Sequence, residues 1–343
     1  MPVQIMIKSN PEMIKAQAGS HGPATGLVIR CSKNHFIVRV GDDEIECRIK
    51  GKILKGRGIF YNPLAPGDFV EIEDSLILAV KDRVNLFARF NQKGQKAQVL
   101  AANVDIVLCV CSISSPPWRP RFLDRVLLQA DAAGIPAAII CNKYDLADEG
   151  GSLLADPDLE ERLSDFARIG YPVFRISALT GEGLDGLKRF IAGKHSVMVG
   201  QSGVGKSSLI NALVPGLNIK IGPINEKFDR GNHTTTQSVL LDVPALPGNP
   251  EGWAAKATRI IDTPGIRRFV PAGVEADNII LYMKEFAPLS GKCSYGHSCS
   301  HVAEPGCKIL EAVNAGAIHE DRYDSFLRIR DELNGKNDYP DLD

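Results

Sequence analysis

The chain has 343 residues, 44% of them apolar and 24% charged, with a formal net charge of −1. That length predicts two or three domains, and no uninterrupted apolar run approaches the ~20 residues of a membrane span. Eight cysteines in so long a chain do not make a disulfide framework, which points to a reducing, cytoplasmic compartment.

The charge is unevenly distributed. Residues 1–100 carry 15 Lys and Arg against 10 Asp and Glu, a surplus of +5, and the remainder carries 25 against 31, a deficit of −6. A basic N-terminal module fits a polyanionic partner, with a solvated charged face as the alternative. Gln4, Lys8, Glu12 and Lys15 interrupt the apolar residues of Met1–Gly19, so no signal peptide is expected there.

After a 1–23 extension, short segments rich in Val, Ile and Phe run to residue 84: Gly26–Arg30, His35–Val40, Glu44–Ile49, Asp68–Ile72 and Leu76–Val80. Turn residues such as Gly41-Asp42-Asp43 separate them. Five short antiparallel strands predict a small barrel of the OB type, although an SH3-like barrel leaves a similar trace. Residues 85–103, with Asn91-Gln92-Lys93-Gly94-Gln95-Lys96, read as a polar linker.

From residue 104 to 272 strands alternate with helices. Strands are expected at Asp105–Ser112, Ala137–Cys141, Val173–Ile176, Ser196–Val199 and Thr258–Ile261, and helices at Arg121–Ala133, Asp158–Ile169 and Leu184–Ile191. This alternation predicts a parallel sheet covered by helices. Residues 273–343 read as helical around a Cys/His cluster, ending in an acidic tail.

Gly200-Gln201-Ser202-Gly203-Val204-Gly205-Lys206-Ser207 is a G-x-x-x-x-G-K-S run between an apolar strand and a helix that opens near Ser208. Its backbone N–H groups can converge on phosphates, Lys206 can reach the β/γ-phosphates, and Ser207 can ligate Mg²⁺. Asp262-Thr263-Pro264-Gly265 ends the next strand: Asp262 can hold Mg²⁺ and Gly265 can offer its N–H to a γ-phosphate. Between them lies Gly231-Asn232-His233-Thr234-Thr235-Thr236, where Thr235, or Thr234 beside it, can supply the switch hydroxyl for Mg²⁺.

Base selection is written earlier in the chain. In Asn142-Lys143-Tyr144-Asp145, the Asp145 carboxylate can accept from the ring N–H and exocyclic amine of guanine, a donor pair adenine lacks. Ser177-Ala178-Leu179 is expected to close that pocket with a backbone N–H toward the guanine carbonyl. GTP and GDP are therefore the expected nucleotides. Both base-reading motifs precede the phosphate loop, the reverse of the usual order. The site survives this because ligands bind beyond the carboxyl ends of parallel strands whatever the connections. In this order the chain passes directly from Gly265 into the C-terminal domain, which can then read out that switch.

Cys293, Cys299, His301 and Cys307 form a Cys₃His set suited to one closed, structural Zn²⁺, with His297 competing for the histidine position.

With these motifs in hand, the chain resembles the RsgA/YjeQ family of circularly permuted GTPases, over roughly Ala24 to Leu333. The resemblance implies a multidomain chain: an N-terminal OB-like β-barrel, a central circularly permuted α/β P-loop GTPase domain and a C-terminal helical zinc-binding domain. It implies GTP hydrolysis in late maturation of the small ribosomal subunit, stimulated by that subunit, with the barrel and zinc domain meeting 16S rRNA and ribosomal proteins. A monomer is expected. Ile266 stands where Ras-like GTPases carry a water-orienting Gln; the resemblance implies that His233 takes that role, the alternative being a bystander loop histidine. Two competing readings are an RNA-binding adaptor in which hydrolysis only times release, and a zinc hydrolase, which a full ligand set disfavours.

Overall fold

The computed structural model describes residues 23–32, 35–49, 60–147, 157–214, 216–217, 224–225, 230–231, 237–243 and 257–335. The N-terminal extension, the acidic tail and the stretch with His233, Thr234 and Thr235 lie outside them.

Strands β1 (Ala24–Ser32), β2 (His35–Val40), β3 (Asp43–Ile49), β4 (Phe69–Glu73) and β5 (Leu76–Val80) close a barrel in the order β1-β2-β3-β5-β4-β1. Closure depends on the length of β1: its first half, Ala24 to Leu27, pairs with β4 and its second, Leu27 to Ser32, with β2, around an irregularity between Val28 and Arg30. Four of the five edges are antiparallel as expected, but β3 and β5 run parallel, a pairing that selects the OB-type circuit. Alternating inward residues, among them Val28, Phe36, Val38, Val70 and Ile77, fill the interior.

The expected linker at 85–103 is a β-hairpin, β6 (Leu86–Asn91) and β7 (Lys96–Ala102). Its polar text is the turn alone, where Asn91 Oδ1 accepts from the N–H groups of Lys93 and Gly94. Of the flanking apolar residues, Phe87, Ala88, Val99 and Leu100 are buried. Phe87 meets Phe269 with ring centroids 5.7 Å apart, and the Phe90 N–H donates to Val270 O. On its other side the hairpin holds the barrel, through Tyr61 N–H to Ala97 O and Asn62 bonded at Val99.

The central domain follows: β8 (Ile106–Ser112), α1 (Pro120–Ala132), β9 (Ala137–Asn142), α2 (Pro157–Ile169), β10 (Val173–Arg175), α3 (Leu184–Ile191), β11 (His195–Gly200), α4 (Lys206–Leu213), a two-residue ladder β12 (Ile224–Asn225) with β13 (Arg230–Gly231), β14 (Val239–Val243) and β15 (Thr258–Asp262). The sheet order is β10-β9-β8-β11-β15-β14, parallel except for β14. Strands β8, β9 and β11 are buried along their whole length, which is why they read as continuous apolar runs. One layer of core packs under α1 and α2, the other under α3 and α4. Strand β14 was not expected; five residues with an Asp at the fourth carry little apolar signal. It pairs β15 and touches the barrel at Arg30 opposite Val239, so barrel and central sheet are continuous.

Beyond β15 the chain forms 3₁₀ turns at Ala276–Tyr282, Ala287–Leu289 and Gly296–Ser298 rather than α-helix, then α5 (Lys308–Asn314) and α6 (Glu320–Leu333). Phe286, Ile309, Phe326 and Ile329 form its core, which takes in Leu128 of α1. A buried charge cluster seals that junction. Asp124 on α1 accepts from Arg322 at 2.8 Å, from Arg162 at 3.1 Å and from Ser325, while Arg322 also grips Glu285 at 2.6 and 3.0 Å. Breaking such a set by removing one partner costs about 3–5 kcal/mol. Among the described residues no helix is long and apolar enough to cross a membrane.

Candidate nucleotide and metal sites

Because β8, β9, β10, β11 and β15 are parallel, their carboxyl ends open on one edge, and the predicted motifs meet there. The loop Gln201–Gly205 joins β11 to α4, with Gly203 and Gly205 at φ 86° and 91°. At Gly205 a Cβ would lie 2.4 Å from Asn142 Nδ2, so the loop needs glycine there twice over. Val204 is buried and anchors the loop in the core; Ser207 and Ser208 lie in the first turn of α4.

Lys206 is buried at the start of α4. Its Nζ donates to Gly200 O at 2.8 Å and Gln201 O at 2.9 Å. Burial pulls it down to about 8, against the opposing attraction of Asp262. Asp262 itself, at the end of β15, is 2% exposed. Gly265 presses on the phosphate loop so closely that a Cβ would lie 2.7 Å from Ser202 Cα. The next N–H, of Ile266, donates to Gly200 O at 3.2 Å. The Ile266 side chain points into the core with Phe269, so it cannot orient a water.

On the base side, Asn142 acts as a cross-brace. Its Nδ2 donates to Val204 O at 3.0 Å and its Oδ1 accepts from the Ala178 N–H at 3.0 Å. The Ala178 N–H of that turn is thus taken up by Asn142. Ser177 shapes the same turn, its Oγ accepting from Leu179 N–H at 3.2 Å and Thr180 N–H at 3.1 Å, and leaves Leu179 86% exposed. Asp145 stands in a 3₁₀ turn with Oδ1 buried and without a hydrogen-bond partner among the described residues. An acceptor left like this fits a ligand's N–H groups. Lys143, at φ 62°, donates from Nζ to Ser115 O, and burial lowers its pKa.

The loop after β8, which carries no motif, also borders the site. Ser115 holds Lys143, and Pro116 lies 3.4 Å from the place a Gly203 Cβ would occupy. Its signal was positional: it leaves the carboxyl end of the strand beside β11.

Cys293, Cys299, His301 and Cys307 come together with all four donor atoms within 4.8 Å of one another, and all four residues are buried. Cys293 Sγ lies 3.9 Å from Cys307 Sγ and 3.5 Å from His301 Nδ1, which lies 3.4 Å from Cys307 Sγ. Tetrahedral Zn²⁺ with ordinary bond lengths calls for about 3.8 Å between sulfurs and about 3.6 Å from sulfur to nitrogen. The donor set therefore fits zinc. His297 is exposed with its ring beside Gly291, so His301 is the fourth member. Outer contacts orient the set: Tyr323 Oη donates to His301 O, Lys308 N–H to Cys293 Sγ, and Glu304 accepts the N–H groups of Ser300, Val302 and Ala303.

Comparison with known proteins agrees with this arrangement. A sequence model described as RsgA GTPase matches residues 80–270. A Bacteroides fragilis protein named small ribosomal subunit biogenesis GTPase RsgA is 38% identical, covering 91% of this chain and 98% of its own. The chain belongs to the RsgA GTPase family. Two solved structures share the fold of this RsgA-family chain. YjeQ from Thermotoga maritima superposes with a TM-score of 0.63 at 29% identity, covering 91% of this chain and 99% of its own. YloQ, described as a circularly permuted GTPase, superposes at 0.62 and 23% identity, covering 95% and 100%. As an RsgA GTPase the protein is a GTP hydrolase, which implies GTP, GDP and Mg²⁺ as its ligands.

Proposed function

We propose that this GTPase acts in late maturation of the small ribosomal subunit and is stimulated by that subunit, in the cytoplasm and as a monomer. The observation that carries the reading is the extent of the match: the B. fragilis relative, named for small ribosomal subunit biogenesis, aligns over 91% of the chain, well beyond the GTPase domain. The basic charge of residues 1–100 favours contact of the barrel with 16S rRNA, and the zinc domain supplies a second contact with rRNA and ribosomal proteins.

In this reading the Gln201–Gly205 backbone, with Gly200, Ser202, Gly203, Val204 and Ser208, cradles the phosphates, and Lys206 neutralises the β/γ-oxygens. Ser207, Asp262 and Thr235 hold Mg²⁺, directly or through water. Gly265 N–H contacts the γ-phosphate. Asp145 reads guanine, with Lys143, Ala178 and Leu179 around the base and Asn142 and Ser177 shaping the pocket. Cys293, Cys299, His301 and Cys307 hold one Zn²⁺ per chain. His233 orients the water that attacks the γ-phosphate, giving GDP and phosphate.

Cosedimentation with small subunits, in GDP and in a non-hydrolysable GTP analogue, tests the partner; binding in the analogue and release in GDP is expected. Phosphate release with and without subunits tests the stimulation. His233→Ala should bind GTP and subunit but lose most of the stimulated rate; full stimulation of that variant assigns the water to another group.

A further inference from the structure

Glu332 lies in the last turn of α6, where the helix dipole disfavours a carboxylate. Two guanidinium groups offset that. Arg268 Nη2 donates to Glu332 Oε1 at 2.8 Å, and Arg125 Nη1 on α1 donates to Oε2. The Glu332 side chain is only 11% exposed, so this three-residue clamp is shielded from solvent far better than an ordinary surface pair. Arg268 is three residues past Gly265. Between them the Ile266 N–H holds Gly200 O, and beyond them Phe269 is locked between Phe87 and Phe122. Carboxylate, helix α1 and the exit of the D-T-P-G segment are therefore fixed to one another through α6, the helix that also braces the metal cluster from Tyr323.

We propose that Glu332 is a positioning residue of the GTPase reaction: by holding Arg268 it keeps the Gly265 backbone against the phosphate loop, so that the C-terminal helix helps the protein favour GTP over GDP. The lever is selective by construction. Only a nucleotide with a γ-phosphate can use the Gly265 N–H, so a loosened clamp weakens GTP and spares GDP. A merely structural joint would weaken both.

The inference rests on Gly265 as the γ-phosphate contact, and the test separates the two. Affinities for GDP and for a non-hydrolysable GTP analogue are measured on the full zinc-loaded chain carrying Glu332→Gln, Arg268→Gln, both together, or Gly265→Ala. Glu332→Gln should weaken the analogue roughly tenfold, equivalent to about 1.4 kcal/mol, with GDP affinity and zinc content unchanged. The double variant should weaken the analogue by less than the sum of the two singles, because Glu332 and Arg268 share one contact. Arg268→Gln, on a side chain 37% exposed, provides the same readout if Glu332→Gln does not fold. Equal weakening of both nucleotides, or none, overturns the clamp. If Gly265→Ala also leaves the ratio of the two affinities unchanged, the γ-phosphate reading fails with it; if only Gly265→Ala lowers the ratio, the clamp alone fails.

Discussion

Asn142 Nδ2 donates to Val204 O at 3.0 Å, tying the loop that reads the base to the loop that cradles the phosphates. The same amide accepts from Ala178, so three loops from three strands share one side chain. In sequence the two bonded residues Asn142 and Val204 are 62 apart, and the permutation reverses their usual order. Contact of this kind is what makes the order immaterial: the pocket is assembled across strand ends and not along the chain.

Asn142→Ala should therefore weaken GDP and GTP alike, since it disturbs both halves of the pocket at once. Leaving the Val204 carbonyl and the Ala178 N–H without their partner costs about 1–3 kcal/mol for each group. Calorimetric titration of both nucleotides checks this; a change confined to GTP would place Asn142 in catalysis instead.

Asp145→Asn should turn preference from guanine to xanthine nucleotides, because an amide can donate to the additional xanthine carbonyl. For GTP the loss of two charge-assisted bonds amounts to about 3–6 kcal/mol. Competition between GDP and xanthosine diphosphate is the measurement. Unchanged GDP affinity would put Asp145 outside the pocket despite its buried Oδ1, which has no hydrogen-bond partner among the described residues.

What could be read beforehand follows from how each feature is encoded. Buried parallel strands and the glycine loop are local: β8, β9 and β11 are unbroken apolar runs, and Gly205 sits where only glycine avoids Asn142. The hairpin β6–β7 reads as a linker in sequence because its turn is all polar, while its apolar residues find their partners in Val270 and Phe269, far along the chain. Spacing put His301 first but left His297 competing; burial separates them, His301 lying inside the cluster and His297 exposed. Of the switch residues, His233 and Thr235 fall outside the described structure and stand on sequence alone.

The purified protein should contain one Zn²⁺ per chain, and Cys307→Ser should lose it together with the fold of the C-terminal domain. Binding energy of a structural metal is folding energy, on the order of 10 kcal/mol. Burial pushes the Cys299 thiol up to about 12, so a bound cation is what would hold this sulfur as a thiolate. Elemental analysis of wild type, His297→Ala and His301→Ala checks the set: only the last should be depleted. Zinc lost from His297→Ala and retained in His301→Ala would reverse the assignment.

Lys206 makes nucleotide binding pH-dependent with a sign that can be worked out. Without nucleotide its pKa is lowered from 10.5 to about 8, chiefly by burial. Between those values the unfolded chain holds the proton that the folded chain has released, so this group makes folding more favourable as pH rises from about 8 toward 10.5. Binding runs the other way. Phosphate oxygens beside Nζ favour the ammonium form, so above pH 8 the lysine must take up a proton as the nucleotide enters. GDP affinity should be flat up to that point and then fall, by at most about tenfold per pH unit. Titrations from pH 7 to 9 with wild type and Lys206→Met isolate the effect, because any titration of the nucleotide itself is common to both. The bend should be present in the first and absent in the second, whose affinity is lower throughout. A bend of equal size in Lys206→Met would assign the proton elsewhere and remove the charged lysine from the phosphate site.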